Sequence, residues 1–198
     1  PTSPTKLATN TGMFRTMDAG ATWTEVSFFS FSDVEFNPAN PSIVYGAGPH
    51  GTFRSTNTGE TWTRIDSGPT GNRIEIAVTP ANSAIVYMFL GGGGSGLYKS
   101  TNQGVSFTRV NTWYSMTHQY WYDMAFNVSP TNANHLFGGE VSAYESTDGG
   151  VNWQAMNIGH VDYHAYEFAN GYLYAANDGG LVRRLLTGGS AEDLSTGL

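Results

Sequence analysis

The sequence predicts an all-β protein that folds as part of a β-propeller, in which four-stranded antiparallel blades surround a channel. Three observations lead to this prediction. The 198 residues include 25 Gly, 8 Pro and 14% aromatic residues, and no window sustains a helical spacing of apolar side chains. One short motif recurs along the chain, with opening aromatic residues at Phe14, Phe53, Tyr98 and Tyr144. The intervals between them are 39, 45 and 46 residues, which suit one four-stranded blade.

The repeated motif runs aromatic, basic or polar, Ser or Thr, any residue, Asp or Asn, any residue, Gly, two residues, aromatic. We expect the Asp or Asn to accept hydrogen bonds from backbone groups two or three residues further on, which forms a tight turn. The Gly supplies a positive φ, and the closing aromatic residue packs over the turn. The motif is therefore predicted to be structural. Its four clear copies contain Asp18, Gly20, Trp23, Asn57, Gly59, Trp62, Asn102, Gly104, Phe107, Asp148, Gly150 and Trp153, and a decayed fifth copy starts at Val182.

The chain is predicted to form a single domain, residues 1–198, made of successive blades. Their approximate bounds are 1–27, 33–66, 73–111, 122–157 and 161–198. In the second blade the four strands are expected at Val34–Phe36, Ile43–Tyr45, Gly51–Arg54 and Trp62–Ile65, and the other blades repeat this order. The first blade lacks its innermost strand. Because about four and a half blades do not close a ring, we expect further blades from the same chain or another one.

Composition and charge exclude several classes of function. The net charge of −7 disfavours a nucleic-acid surface. No run of 18 apolar residues is present, so no membrane span is expected. The absence of Cys excludes disulfides and thiol catalysis. A chain that opens Pro-Thr-Ser-Pro without Met is expected to be processed or a fragment.

Blade topology predicts where a ligand would bind. If the motif joins the third and fourth strands of each blade, it lies on one rim, and the second-to-third turns and the blade-to-blade connections lie on the other. That second rim collects aromatic and His side chains, which form the predicted ligand-binding set: His50, Trp113, Tyr114, His118, Tyr120, Trp121 and Tyr122. Aromatic faces beside carboxylates suit sugar rings.

The motif resembles the Asp-box, or bacterial neuraminidase repeat. That repeat occurs in sialidases, sortilin-type receptors, xyloglucanase-type glycoside hydrolases and photosystem assembly factors. Trp121–Asn132, His160–His164 and Asn177–Gly180 also resemble stretches of large secreted propeller proteins of Bacteroidetes-type bacteria, which are labelled glycosyl hydrolases. The resemblance implies a propeller that is secreted or at the cell surface. These relatives usually carry an acidic residue where this chain has Ala165, which weakens any function borrowed for that segment.

Carboxylates on the same rim are the candidate catalytic residues. Asp178 is similar in position to the Asp-Val-Gly-Gly turn of xyloglucanases, and glycoside hydrolysis needs a second carboxylate roughly 5 to 10 Å away. Asp162 and Glu140 are the predicted partners, whereas Asp123 at a strand start is expected to be structural. The sequence Asn177–Gly180 also fits an ordinary hairpin turn.

A divalent metal ion is the one cofactor that the sequence suggests. His160, Asp162 and His164 alternate, so a strand would place all three side chains on one face as half of a metal site. Polar residues that line the propeller channel are the alternative explanation for this segment.

Three functions remain open from the sequence. The first is a non-catalytic module, secreted or at the cell surface, that binds carbohydrate or a surface protein through its aromatic, His-rich rim. The second is a xyloglucanase-like glycoside hydrolase that cleaves polysaccharide. The third is a structural component of a surface assembly. A sialidase is not expected, because the arginines that would bind a substrate carboxylate belong to the repeat strands.

Overall fold

The computed structural model describes residues 6–9, 12–92, 95–111 and 119–195, and in these ranges all the regular structure is β. No helix that could cross a membrane occurs in the described part of the chain. The first blade contains β1 (Lys6–Thr9), β2 (Gly12–Arg15) and β3 (Thr24–Ser27). The second and third contain β4 (Asp33–Phe36), β5 (Val44–Gly48), β6 (Gly51–Ser55), β7 (Thr63–Ile65), β8 (Arg73–Val78), β9 (Val86–Gly91), β10 (Gly96–Ser100) and β11 (Thr108–Asn111). The fourth and fifth contain β12 (Ala125–Val128), β13 (Leu136–Gly139), β14 (Ala143–Ser146), β15 (Gln154–Met156), β16 (Tyr163–Ala169), β17 (Tyr172–Asn177), β18 (Gly180–Leu185) and β19 (Glu192–Asp193).

The strands form one three-stranded and four four-stranded antiparallel sheets, each paired in chain order. The first strands of the complete sheets, β4, β8, β12 and β16, contact one another in succession. Residues of these four strands line an open channel of about 500 Å³. The predicted all-β fold, a partial propeller of four-stranded blades, is confirmed.

Apolar side chains fill the spaces between neighbouring blades. Tyr45, Ile74 and Phe107 belong to the cluster between the second and third blades, and Phe89 and Leu136 to the cluster between the third and fourth. These side chains are at most 5% exposed. Full burial of one such side chain contributes about 1.5 to 3 kcal/mol, so the blades are held together mainly by these contacts.

The Ser or Thr of each Asp-box is the centre of its turn. In the third copy the Ser100 hydroxyl accepts hydrogen bonds from the backbone N–H groups of Asn102 (3.2 Å) and Gly104 (2.9 Å), and it donates one to the Asn102 side chain (2.8 Å). The side-chain Oδ1 of Asn102 accepts from the backbone N–H of Ser106 (3.0 Å). Among the described residues, the expected reach of two or three residues is met only by the Val151 N–H bond to Asp148, whereas the bond common to all four clear copies spans four residues. Asp148 forms bonds over both three and four residues.

The Gly of each clear copy has a positive φ, as predicted, with values between 74° and 94° at Gly20, Gly59, Gly104 and Gly150. The sequence did not reveal that the residue before the Gly is also left-handed, including three that are not Gly: Ala19, Thr58 and Gln103. In two of these copies a backbone hydrogen bond of the left-handed residue offsets the strain of its positive φ. The N–H of Thr58 donates to the carbonyl of Ser42, and that of Gln103 to Ala84, so each box is tied to the first turn of its own blade.

The closing aromatic residues pack as predicted, to different degrees. The Trp153 indole donates a hydrogen bond to the Gly150 carbonyl at 3.0 Å, which places its ring over the turn. Phe107 is 5% exposed in the cluster between the second and third blades. Trp23 is 42% exposed.

Candidate binding rim

The antiparallel order of the strands separates the two ends of the propeller. The β6–β7 connection carries an Asp-box, and the β5–β6 turn, which contains His50, lies at the other end of the same sheet. We call this other end the binding rim. The β13–β14 and β17–β18 turns and the connections between blades end there as well. Three residues of the predicted ligand-binding set, Trp113, Tyr114 and His118, lie outside the described residues.

Two aromatic side chains project from the connection before β12. Trp121 is 68% exposed and Tyr122 is 60% exposed; we call this pair the aromatic ledge. A turn fixes the backbone beneath it, because the N–H groups of Tyr122 and Asp123 both donate to the Gln119 carbonyl at 2.7 and 3.1 Å. The ledge is therefore presented on an ordered turn.

Tyr120 supports the ledge rather than facing solvent. Its ring meets that of Trp121 edge-on, with centroids 5.4 Å apart. It also covers Gly91 and Gly92, where an added Cβ would come within 2.6 Å of the Tyr120 side chain. Gly91 and Gly92 thus let Tyr120 pack on bare backbone.

The side chains of His164 and Asp178 are positioned as an ion pair beside the ledge. The His164 Nε2 and Asp178 Oδ1 atoms are 2.7 Å apart, with side chains 36% and 42% exposed. The Tyr122 ring meets the His164 ring edge-on at 5.4 Å. Aromatic faces and an accessible carboxylate therefore lie side by side on the rim.

Two further carboxylates of this region, Asp123 and Glu140, are buried. Asp123 is fully buried and Glu140 is 1% exposed. Neither carboxyl oxygen of Asp123 has a hydrogen-bond partner among the described residues. Burial, together with the nearby Asp162 and Glu140 carboxylates, raises the pKa of Asp123 to about 6. The Asp123 carboxyl does not reach the rim surface, and its structural role stays a prediction.

Asp162 adopts a left-handed backbone, with φ of 62°. Three backbone bonds hold it there: its N–H donates to Val141, its carbonyl accepts from Asp178, and the next N–H, that of Tyr163, donates to Glu140. The Gln119 side-chain amide donates to its Oδ1 at 3.2 Å. A catalytic role for Asp162, Glu140 or Asp178 stays a prediction.

The expected alternation of His160, Asp162 and His164 along one strand is wrong. Strand β16 begins only at Tyr163, and its register shifts between Tyr163 and Ala165, so His164 lies in a bulge. The His160 Nδ1 atom lies 3.2 Å from the Val161 carbonyl, not beside His164. No group of three His, Asp or Glu side chains in the described ranges is arranged to hold a metal ion.

His50, the remaining predicted ligand residue, is exposed and lies beside Phe29, which, like the adjacent Phe28, was not in the predicted ligand-binding set. The Phe29 ring is 5.5 Å from the His50 ring, and Phe28 is 84% exposed. The sequence feature that could have indicated them is the pair of adjacent Phe residues in the connection between the first two blades.

Four carboxylates that were not among the predicted site residues line the channel. Asp33, Glu35, Glu75 and Glu167 face it. Burial, followed by repulsion from the other carboxylates, raises the pKa of Glu35 to about 7. Burial and the Asp33 charge raise the pKa of Glu75 to about 7 as well, although the Arg73 guanidinium is 2.8 Å away.

Comparison with known proteins gives a family and a fold. The model of the Sortilin-Vps10 family, described as "Sortilin, neurotensin receptor 3", matches residues 50–178. A search of curated proteins gives no match.

Solved structures with a similar fold include two enzymes. A GH74 enzyme from Niastella koreensis is 20% identical, with a TM-score of 0.76 over 96% of this chain and 35% of that one. The GH74 xyloglucanase from Xanthomonas campestris is 17% identical, with a TM-score of 0.67 over 90% and 34%. YCF48 bound to D1 peptide is 16% identical, with a TM-score of 0.61 over 98% and 67%. The chain spans about a third of the length of the two enzymes, and at these identities the likeness shows the fold alone.

Proposed function

This chain belongs to the Sortilin-Vps10 family, and we propose that its propeller is a module that binds carbohydrate on the binding rim. The observation that carries the proposal is the aromatic ledge, Trp121 and Tyr122, beside the His164–Asp178 pair. We further propose that the module acts outside the cell or at its surface, in keeping with the resemblance of its motifs to secreted propellers.

The chemistry of the rim favours a sugar over an apolar peptide. The face of a Trp or Tyr ring stacks on the C–H face of a sugar, and both ledge rings are more than half exposed. Asp178 can accept hydrogen bonds from sugar hydroxyls, and His164 holds it in place at 2.7 Å. The net charge of −7 disfavours anionic glycans, so we expect a neutral polysaccharide.

Affinity for a panel of neutral polysaccharides tests this proposal. We expect Trp121→Ala to weaken binding at least about tenfold, or about 1.4 kcal/mol. Trp23→Ala is the matched control, because Trp23 is also exposed but lies on the Asp-box rim. Equal losses in the two variants, or binding untouched by either, would contradict the proposal and favour the structural role in a surface assembly.

Glycoside hydrolysis is the second candidate, favoured by the accessible carboxylate of Asp178 and by the fold shared with GH74 enzymes. Asp162 is the proposed partner, because its carbonyl accepts the N–H of Asp178. Release of reducing sugar from the same panel, lost in Asp178→Asn, would support hydrolysis. Binding without any product release supports the non-catalytic module.

A further inference from the structure

The connection between the first two blades is anchored at one end and exposed at the other. Phe31 is 7% exposed and packs on Gly46, where an added Cβ would be 3.2 Å from its ring. The Ser32 hydroxyl donates to Ala47 (3.0 Å) and lies 2.9 Å from the Ile74 carbonyl, which ties the connection to the second and third blades. The exposure of the preceding residues is therefore not the result of a loosely held backbone.

Phe28 and Phe29 form an aromatic surface on this anchored connection. Phe28 is 84% exposed and Phe29 is 43% exposed. The Phe29 ring stacks on that of Phe53, with centroids 4.7 Å apart and planes 28° apart, and the His50 ring is 5.5 Å from it. Phe29 is further fixed by a bond from its N–H to the Ser27 hydroxyl (3.1 Å). Exposed apolar patches of this kind mark binding surfaces.

This surface and the aromatic ledge border the same channel. Phe28 and Phe29 precede β4, and the ledge precedes β12, and both strands line the channel. Strand β8 lies between β4 and β12, and β16, which carries His164, contacts β12 on its other side. Glu35 of β4 and Glu167 of β16 are close enough for their charges to interact across the channel.

We propose that Phe28, Phe29 and His50 form a second sugar-stacking subsite, so that the ligand is an extended oligosaccharide that spans the binding rim from this surface to the aromatic ledge. The inference rests on the proposed carbohydrate binding. It adds that chain length determines affinity, because a short sugar can occupy the ledge but not both surfaces.

Oligosaccharides of graded length, prepared from β-glucan, mannan and xylan, test the inference by calorimetry. For the parent chain we expect an octasaccharide to bind at least about tenfold more tightly than the disaccharide. Phe28→Ala should abolish this difference and leave disaccharide affinity unchanged, whereas Trp121→Ala should weaken both. Because Phe28 is 84% exposed, its loss should leave the melting temperature unchanged, which makes the variant interpretable.

Val151→Ala is the control, because Val151 is 60% exposed on the Asp-box rim and should not affect any of these affinities. A length dependence that survives in Phe28→Ala would overturn the second subsite while leaving the proposed function intact. Equal affinity of the parent for both lengths would do the same. Failure of every oligosaccharide to bind would instead overturn carbohydrate binding itself. If Phe28→Ala changed only the binding of a protein and no oligosaccharide affinity, the surface would be assigned to a protein partner and the second subsite would be wrong.

Discussion

At the scale of single residues, the Asp-box depends more on its hydroxyl than on its acid. Ser146 accepts hydrogen bonds from the N–H groups of Asp148 (3.4 Å) and Gly150 (2.9 Å) and is 2% exposed. The acidic position is filled by Asn in two copies, and Asn57 and Asn102 form the same bonds to the residue four positions on. The charge is thus dispensable to the turn.

We predict that Ser146→Ala destabilises the protein by about 1 to 3 kcal/mol, because it leaves a buried N–H group without an acceptor. Asp148→Asn in the same box should reduce the free energy of unfolding by less than Ser146→Ala does at neutral pH, because Asn fills this position in two other copies. Urea unfolding of both variants measures the difference. If the Asn variant proved the more damaging, the hydroxyl-centred description of the turn would be wrong.

The same box predicts an acid dependence. Bonds from the Asn152 backbone and side chain, and from Ser146, lower the pKa of Asp148 to about 2. Because the folded pKa lies below the unfolded value near 3.8, this stabilisation is present above pH 4 and is lost as the pH falls towards 2. Asp148→Asn should therefore lose less stability than the parent between these two pH values in urea unfolding. An identical loss in both proteins would contradict the prediction.

At the scale of elements, an ion pair joins the fourth and fifth blades. Arg184 of β18 is 7% exposed and donates two hydrogen bonds to Glu145 of β14, and His135 Nε2 lies 3.2 Å from the same carboxylate. Burial acts to raise the pKa of Glu145, but the bonds from Arg184 and His135 outweigh it and hold the pKa below its usual range.

We expect Glu145→Gln to destabilise the protein by roughly 2 to 4 kcal/mol, because it leaves the buried Arg184 without its counter-charge. Glu192→Gln removes a similarly short ion pair on the surface, Arg183–Glu192 at 2.8 Å. This substitution should lower the free energy of unfolding by less than about 1 kcal/mol. Thermal unfolding of the two variants compares them directly. Similar melting temperatures would show that the inter-blade pair adds no more than a surface pair.

The repeat made the strands and turns predictable, since each copy contains its own hydroxyl, Gly and aromatic residue. The arrangement around His164 was not predictable in the same way. A bulge at the start of β16 turns His164 towards Asp178 and away from the expected line with His160, and nothing in the local sequence specifies that bulge. Likewise, the burial of Asp123 and Glu140 was not predictable, because these residues are distant in the sequence from groups near them, such as the Tyr163 N–H that donates to the Glu140 carbonyl.

At the scale of the whole molecule, the propeller encloses carboxylates at a cost in stability. Glu35 lies in the channel with a pKa raised to about 7, mainly by burial. The folded pKa is above the unfolded value of 4.5, so stability from this group is full below that value and falls as the pH rises through 7.

We therefore predict that Glu35→Gln raises the melting temperature relative to the parent at pH 8 and changes it little at pH 5. Glu75→Gln should gain less, because it also breaks the pair with Arg73. Melting curves of the three proteins across this range would show the effect. A variant that melts below the parent at pH 8 would mean that the ionised Glu35 is stabilised by a group in the channel.

The proposed carbohydrate binding depends on the aromatic ledge. The indole N–H signals in an NMR spectrum test this binding most directly. The chain has 5 Trp residues, so a neutral oligosaccharide that binds as proposed should shift the Trp121 signal and leave those of Trp23, Trp62 and Trp153 in place. Assignment by single Trp→Phe variants identifies each signal. Shifts centred on Trp23, on the Asp-box rim, or no shift with any glycan in the panel, would contradict carbohydrate binding on this face of the propeller.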